Sequence, residues 1–164
     1  MSHPFDVLKL KNDAAFIFTP CPGTKGVDLT TSLANLKSAG ANAVISLLPN
    51  DEIERLAVTT LGEQVTQHNM TWYQLPIEDD QAPEQPFFIA FENVKNELLA
   101  RIQAQQTLAI HCRGGTGRTG LVAAILLLEL GYCWQHVHSS IQHIRPKALT
   151  LAPHIHFLKS HYSI

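Results

Sequence analysis

One cysteine and one arginine stand six residues apart, with a glycine-rich run between them. Cys112 is followed by Gly114, Gly115 and Gly117, and Arg118 closes the run. Successive backbone N–H groups around glycines can point inward and bind an anion, because glycine tolerates positive φ and admits an oxyanion close to the main chain. A helix that begins at such a run adds the positive end of its dipole. The spacing therefore predicts a cradle for a phosphate-like group with a sulfur nucleophile beside it.

The residue types also predict the chemistry of this cradle. Helix N-termini and nearby cations favour the thiolate form of a cysteine, which is the nucleophilic form. A thiolate at Cys112 is suited to in-line attack on phosphorus, with a phosphocysteine intermediate as the product. The planar guanidinium of Arg118 offers two parallel donors to phosphate oxygens. Thr119 follows directly, and its hydroxyl is expected to hydrogen-bond the sulfur when the intermediate breaks down.

An acidic turn supplies candidates for a general acid. A leaving alkoxide or phenoxide needs a proton, and the donor can lie elsewhere in the sequence. Glu78, Asp79 and Asp80 follow a predicted strand upstream of the glycine-rich run. Both aspartates are candidates by position and Glu78 is a weaker one, so the residues by themselves leave the choice open.

The elements that must position these residues alternate between strands and helices. Such alternation predicts a single α/β domain over residues 1–164 with a central, largely parallel sheet flanked by helices. Ligands of such sheets bind outside the carboxyl ends of the strands, and Cys112 follows one of these ends. Strands are expected over residues 5–10, 14–19, 43–48, 71–77 and 107–110, and helices over 28–39, 51–68, 86–105, 118–130, 134–144 and 152–162.

Composition narrows the classes of partner and compartment. The 164 residues carry a net charge of −2, and a nucleic-acid binder or a membrane-surface enzyme usually shows a basic excess, so neither partner is expected. The longest apolar run, residues 121–128, is too short for a membrane span of about 20 residues. The N-terminal residues lack the pattern of a secretory signal. Three cysteines, an odd number, indicate free thiols and a cytoplasmic location.

Several further residues have simpler interpretations. Cys21 and Cys133 are expected to be unreactive thiols, although Cys21 is a candidate for a disulfide with Cys112 under oxidation. Arg145 precedes a proline near a helix end, where capping of the last carbonyl groups is the simple explanation, and contact with the substrate or the acidic turn is the alternative. The histidine clusters lack the i, i+4 pair of a helical metal site, so no metal or other cofactor is expected, and they are interpreted as surface or core-edge residues: His136, His138, His143, His154, His156 and His161.

The run from His111 to Gly120, written His-Cys-x5-Arg-Thr-Gly, resembles the signature loop of the cysteine-dependent protein phosphatases. Within that superfamily the chain is most similar to the kinase-associated phosphatase branch of the dual-specificity enzymes. Three segments carry this similarity: Pro-Cys-Pro-Gly at 20–23, Leu-Pro-Ile-Glu-Asp at 75–79, and the doubled glycine after Cys112. The resemblance implies a protein tyrosine phosphatase-like fold, with Cys112 as nucleophile, Arg118 as phosphate clamp and Asp79, in preference to Asp80, as general acid. The phosphate would be bound by Arg113, Gly114, Gly115, Thr116, Gly117 and Arg118.

The resemblance favours hydrolysis of phosphotyrosine, and also of phosphoserine and phosphothreonine, in a protein or peptide. The sequence shows no substrate loop of the tyrosine-specific kind. A phosphatase of a phosphoinositide or of an RNA 5′-phosphate is the alternative enzyme, and a non-catalytic phosphate-recognition module is the alternative without turnover. A sulfur transferase of the rhodanese type also uses a cysteine in an anion-binding loop, but the acidic turn fits phosphoryl transfer better than sulfur transfer. A kinase-complex partner cannot be read from the sequence, because the contacts it would need have no recognisable motif.

Overall fold

The computed structural model describes residues 1–164, and five strands form one sheet in the order β1-β2-β5-β3-β4. Strand β1 pairs antiparallel with β2, and every other pair is parallel. The predicted α/β fold with a central, largely parallel sheet is confirmed. The strands are β1 Asp6–Lys9, β2 Ala15–Thr19, β3 Ala43–Ser46, β4 Thr71–Gln74 and β5 Thr107–His111.

Seven helices flank this sheet. Helix α5 lies at the centre of the apolar core, packs on β2 and β5, and contacts α6 and α7. Its residues from Arg118 to Leu127 are all buried, as its nearly uniform apolar sequence predicts. None of the helices combines the length and the apolar character needed to cross a bilayer. The helices are α1 Leu29–Ser38, α2 Asn50–Arg55, α3 Leu61–Gln67, α4 Gln85–Gln103, α5 Gly117–Glu129, α6 Trp134–Ile144 and α7 Ala152–Tyr162.

The single helix predicted over residues 51–68 is wrong, because the chain forms two short helices there. Helix α2 ends in a Schellman motif in which Ala57 adopts φ 58°. The N–H of Val58 donates to the carbonyl of Ile53 at 3.2 Å, and the N–H of Ala57 donates to Glu54 at 3.0 Å. Glycine usually occupies this left-handed position, so the alanine concealed the break. The turn buries Val58 in the core and leaves α2 free to point Glu52 inward.

The acidic turn is carried to the edge of the sheet by β4 and the three residues after it. The N–H groups of Leu75 and Ile77 donate to the carbonyls of Ser46 and Leu47, both at 2.9 Å, which continues the parallel pairing beyond β4. Parallel neighbours end at the same edge of a sheet. The turn that begins at Glu78 therefore lies beside the segment that follows β5.

Candidate active site

The segment after β5 makes a tight turn that only glycine accommodates at its centre. Gly115 has φ 80°, in the left-handed region. A Cβ atom at this position would lie 2.6 Å from the carbonyl carbon and oxygen of Thr19, so a side chain would collide with main chain as well as being strained. The phosphate loop, defined here as residues 112–118, is thereby pressed against the end of β2. The N–H of Cys21 also donates to the carbonyl of Arg113 at 3.0 Å.

The sulfur of Cys112 lies at the base of this loop, with 4% of the residue exposed. Two donors converge on it: the N–H of Gly115 at 3.3 Å and the hydroxyl of Thr119 at 3.2 Å. Helix α5 begins at Gly117 and directs its N-terminus towards the same loop. Donors of this kind stabilise a thiolate more than a thiol, because the negative charge is the stronger acceptor. The structure thus supplies two hydrogen-bond donors to this sulfur, and the role of Cys112 as nucleophile stays a prediction.

The guanidinium of Arg118 is 99% buried and pairs with a residue that the sequence analysis did not single out. Its Nη1 and Nη2 donate to the two carboxylate oxygens of Glu52 at 2.8 and 2.9 Å, and Nη1 also donates to the carbonyl of Ile77 at 2.8 Å. Burial opposes the positive charge, but hydrogen bonding to Glu52 and the nearby Cys112 and Asp79 raise the pKa of Arg118 above its ordinary value.

This pairing still leaves Arg118 two adjacent donors for a phosphate, and its two-pronged contact with phosphate stays a prediction. The Nε–H of Arg118 is buried without a hydrogen-bond partner, and its Nη2 lies 3.3 Å from Oδ1 of Asp79. These two donors remain for an anion in the loop, whereas the other N–H groups of the guanidinium bind Glu52 and the carbonyl of Ile77. The carboxylate thus fixes the plane of the guanidinium.

A chain of hydrogen bonds under the loop sets the tautomer of His111. The indole N–H of Trp72 donates to the hydroxyl oxygen of Ser46 at 2.8 Å, and that hydroxyl faces Nε2 of His111 at 2.5 Å. Nδ1 of His111 lies 3.0 Å from the carbonyl of Cys112, so Nδ1 is the protonated nitrogen and Nε2 accepts from Ser46. Burial lowers the pKa of His111 to about 4 and keeps the imidazole neutral.

Arg145 does more than cap a helix, which corrects its predicted role. Only one of its four side-chain hydrogen bonds, to the carbonyl of Ile144 at 3.2 Å, is a cap contact. Its Nε donates to the carbonyl of Gly115 at 2.9 Å, and its Nη2 donates to the carbonyl of Phe18 at 3.1 Å. Nη1 pairs with Asp6 at 2.6 Å. Arg145 therefore ties the phosphate loop to β1 and β2.

The acidic turn lies opposite the loop and is far more exposed. Asp79 is the acid that contacts Arg118, and 58% of its side chain is exposed. Asp80 is also exposed and adopts φ 61°, a left-handed conformation that aspartate tolerates better than most residues. His154, on α7, contacts this turn through its Nε2, which lies 3.0 Å from the carbonyl of Gln81.

A cavity of about 250 Å³ joins the two segments. It contains most of the residues predicted for the site, and it also contains three that the sequence analysis did not place there, Lys25, Leu151 and His154. Gly115 and Thr119 lie behind its wall, where they contact the sulfur of Cys112. The predicted residues in its lining are Asp79, Asp80, Cys112, Arg113, Gly114, Thr116, Gly117 and Arg118.

The remaining cysteines and histidines occupy different environments. All three cysteines are free, with Cys21 buried and Cys133 exposed. Burial raises the pKa of Cys21 to about 12, with the nearby Cys112 adding to the shift, so Cys21 is a neutral thiol; its disulfide with Cys112 stays a prediction. His154 is buried in the cavity wall, which corrects its interpretation as a surface or core-edge residue. No group of three or more His, Cys, Asp or Glu side chains is arranged to hold a metal ion, and the expectation of no metal stays a prediction.

Known sequences share the same pattern over most of the chain. A protein-family model described as PTP-SAK, a Swiss Army Knife protein DSP-PTPase phosphatase domain, matches residues 27–161. Cyclin-dependent kinase inhibitor 3 of Sus scrofa is 32% identical over 113 residues, which are 66% of this chain and 52% of that protein. A putative tyrosine phosphatase, 197R, of Invertebrate iridescent virus 6 is 32% identical over 90 residues, 51% of this chain and 34% of that protein. The chain spans about half the length of the kinase inhibitor proteins that it matches.

Solved structures have the same fold at low sequence identity. Kinase associated phosphatase, crystallised with its catalytic-site cysteine replaced by serine, superposes with a TM-score of 0.82 at 21% identity and covers 98% of this chain and 94% of its own. The structure of PTPMT1 superposes with a TM-score of 0.71 at 13% identity and covers 96% and 94%. Since the family model covers far more than half of the residues, the chain belongs to the family of dual-specificity and protein tyrosine phosphatase (DSP-PTPase) domains.

Proposed function

We propose that this chain is a phosphomonoester hydrolase that acts on phosphorylated proteins through a phosphocysteine intermediate. The convergence of two donors on the buried sulfur of Cys112, inside a loop that also contains the Arg118 guanidinium, is the observation that supports it best. A module that only recognised phosphate would have no use for a sulfur activated in this way. Residues 1–164 act in this proposal as one domain in a cytoplasmic, reducing environment, with no cofactor.

The first chemical step transfers the phosphoryl group to sulfur. The Cys112 thiolate attacks phosphorus in line, the S–P bond forms, and the bond between phosphorus and the leaving oxygen breaks. The protonated carboxyl of Asp79 gives its proton to that oxygen. The loop amides and the Nε–H and Nη2–H of Arg118 bind the equatorial oxygens, where charge spreads in the transition state. A phosphate in this position takes the Arg118 donor that faces Asp79 in the structure.

The second step returns the enzyme to its starting state. The Asp79 carboxylate removes a proton from a water molecule, which attacks phosphorus, and the S–P bond breaks to release inorganic phosphate and the thiolate. The hydroxyl of Thr119, 3.2 Å from the sulfur, stabilises the charge that returns to it. Asp79 acts as acid in one step and as base in the next, so its proton balance closes over one turnover. Asp80, on the same turn, is the alternative donor.

The proposed substrate is a phosphoprotein, with phosphoserine and phosphothreonine accepted beside phosphotyrosine. The cavity of about 250 Å³ is lined mostly by polar residues and glycines and contains no phenylalanine, tyrosine or tryptophan, which would favour the ring of phosphotyrosine. The names of the relatives, cyclin-dependent kinase inhibitor 3 and kinase associated phosphatase, favour a protein related to a kinase as substrate or partner. No nucleic-acid or membrane partner is part of the proposal.

Hydrolysis of para-nitrophenyl phosphate without added metal tests the proposal. We expect turnover by the wild type, and a loss of at least about 10⁴-fold in kcat for Cys112→Ser, because a serine hydroxyl in this loop has no base to activate it. Cys133→Ser is the matched control, since Cys133 is exposed and remote from the cavity, and it should retain full activity. An inert wild type that still binds vanadate would contradict the proposal and favour a phosphate-recognition module. A panel of phosphopeptides and phosphoinositides then separates the two substrate classes.

A further inference from the structure

The acidic turn, residues 78–81, has few attachments to the rest of the molecule. Glu78, Asp79, Asp80 and Gln81 are all exposed. Its internal bond joins the N–H of Gln81 to the carbonyl of Glu78 at 3.1 Å. Only two side chains from other elements form a hydrogen bond or an ion pair with it: Arg118, through Asp79, and His154, through the carbonyl of Gln81. A phosphate bound to Arg118 displaces the first contact and leaves the second.

The imidazole of His154 is built into the wall that the turn faces. His154 lies in the first helical turn of α7 and is 1% exposed. Its Cε1 lies 3.9 Å from where a Cβ of Gly117 would be, so the ring packs against the end of the phosphate loop. Nε2 lies 3.0 Å from the Gln81 carbonyl, which can only accept, so Nε2 is the donor. One rigid ring therefore spans the phosphate loop and the acidic turn.

We propose that His154 is a positioning residue for the general acid. The hydrogen bond from its Nε2–H to the carbonyl of Gln81 fixes the position of the acidic turn relative to the phosphate loop, so that Asp79 reaches the leaving oxygen. The inference rests on the proposed role of Asp79. Because a displacement of about 1 Å can cost about 10²-fold in rate, a tether two residues from the acid controls the rate without touching the substrate.

The protonation state of His154 does not alter this tether. Burial lowers the pKa of His154, with Arg118 adding to the effect, while the Gln81 carbonyl and the carboxylates of Asp80 and Asp79 oppose it. Nδ1 is buried without a hydrogen-bond partner and is the nitrogen that titrates. Nε2 carries its proton in both forms, so the donor to Gln81 is present throughout the pH range.

Two substitutions at position 154 separate the donor from the bulk of the ring. His154→Leu keeps volume and removes the donor, whereas the amide nitrogen of His154→Gln can occupy the place of Nε2. We expect His154→Leu to lower kcat for para-nitrophenyl phosphate by about tenfold, with KM changed less than about twofold, and His154→Gln to retain more than about half of kcat. His156→Leu, exposed on the same helix, is the control and should be unchanged. If His154→Leu does not fold, His154→Asn, whose amide is too short to reach, takes its place.

A double-mutant cycle with Asp79→Asn shows whether His154 acts through the acid. We expect His154→Leu to cost nothing further once Asp79 is replaced, and to cost less for a substrate whose leaving group has a low pKa and needs no proton. An equal loss from His154→Leu in the Asp79→Asn background, or with the acidic leaving group, overturns the inference and leaves the proposed chemistry intact. If Asp79→Asn alone keeps full kcat, the proposed acid is wrong and the inference fails with it.

Discussion

The phosphate loop and the acidic turn face each other across one cavity but are held in opposite ways. In the loop, Arg118 has 1% of its side chain exposed and is fixed by Glu52, while Arg145 binds the loop carbonyl of Gly115. In the turn, Asp79 has 58% of its side chain exposed. Groups that stabilise charge in a transition state gain most when they are preorganised and dry. A loop that must admit substrate and release product needs freedom to move.

The two regions also differ in how strongly folding stability depends on their contacts. The loop is supported by buried charges and a neutral buried histidine, both of which cost free energy unless every partner is present. The turn depends on one hydrogen bond from His154 and on one ion pair, in which Asp79 is exposed and Arg118 is buried. Substitutions around the loop should therefore affect folding as well as rate, whereas substitutions in the turn should affect rate alone.

The largest effect on stability is expected for Glu52→Ala. Removing one partner of a buried pair leaves the Arg118 charge uncompensated, which costs about 3–5 kcal/mol in the free energy of unfolding. Asp51→Ala is the matched control on the same helix, since its pair with Arg55 at 3.2 Å is exposed and contributes at most about 0.5 kcal/mol. Urea unfolding of both variants measures the difference. Equal stability of the two variants would show that Arg118 does not depend on Glu52.

In the acidic turn, Asp79→Asn should lower kcat by about 10²–10³-fold and leave the free energy of unfolding unchanged, because the amide cannot donate the acid proton. Asp80→Asn is the neighbouring control, and we expect it to stay within about threefold of the wild type. Steady-state kinetics and urea unfolding of both variants measure these changes. A larger loss for Asp80→Asn would transfer the role of general acid to Asp80.

The smallest of these effects is the acid sensitivity of the loop. The pKa of His111 is about 4 in the folded state against 6.5 when unfolded, so the unfolded chain binds more protons between these values. The contribution of neutral His111 to the free energy of unfolding is fully present above pH 6.5. It is lost as the pH falls towards 4, which lowers the free energy of unfolding by about 3 kcal/mol for His111 alone. The pKa values of His3 and His154 are lowered too and add to the slope. Urea unfolding from pH 7 to pH 4.5 measures it, and a flat curve would show that His111 is not held neutral.

The sequence alone was sufficient to predict where the strands lie along the chain and where the phosphate loop lies. The apolar strand β5 ends directly before the loop, and the spacing of Cys112, Gly115 and Arg118 has a local physical reason that needs no tertiary contact. The break between α2 and α3 was missed because Ala57 takes a left-handed conformation that alanine seldom adopts.

The residues that hold the site in place could not be predicted from the sequence. Glu52 and Arg118 are 66 residues apart in sequence, and a glutamate in the first turn of a helix is explained equally well by the helix dipole. His154 was one of several histidines without a metal-site spacing, and Arg145 had a sufficient local explanation as a cap. Each gains its position from packing between distant elements, which leaves no pattern in the neighbouring residues.

Rapid acid quenching during turnover, followed by mass spectrometry of the peptide that contains Cys112, tests whether the reaction passes through phosphocysteine. We expect one phosphoryl group on Cys112 of the wild type, a larger trapped fraction in Thr119→Ala because the leaving thiolate loses its hydroxyl donor, and none in Cys112→Ser. Turnover without a phosphoryl group on Cys112, or with the group on another residue, would contradict it.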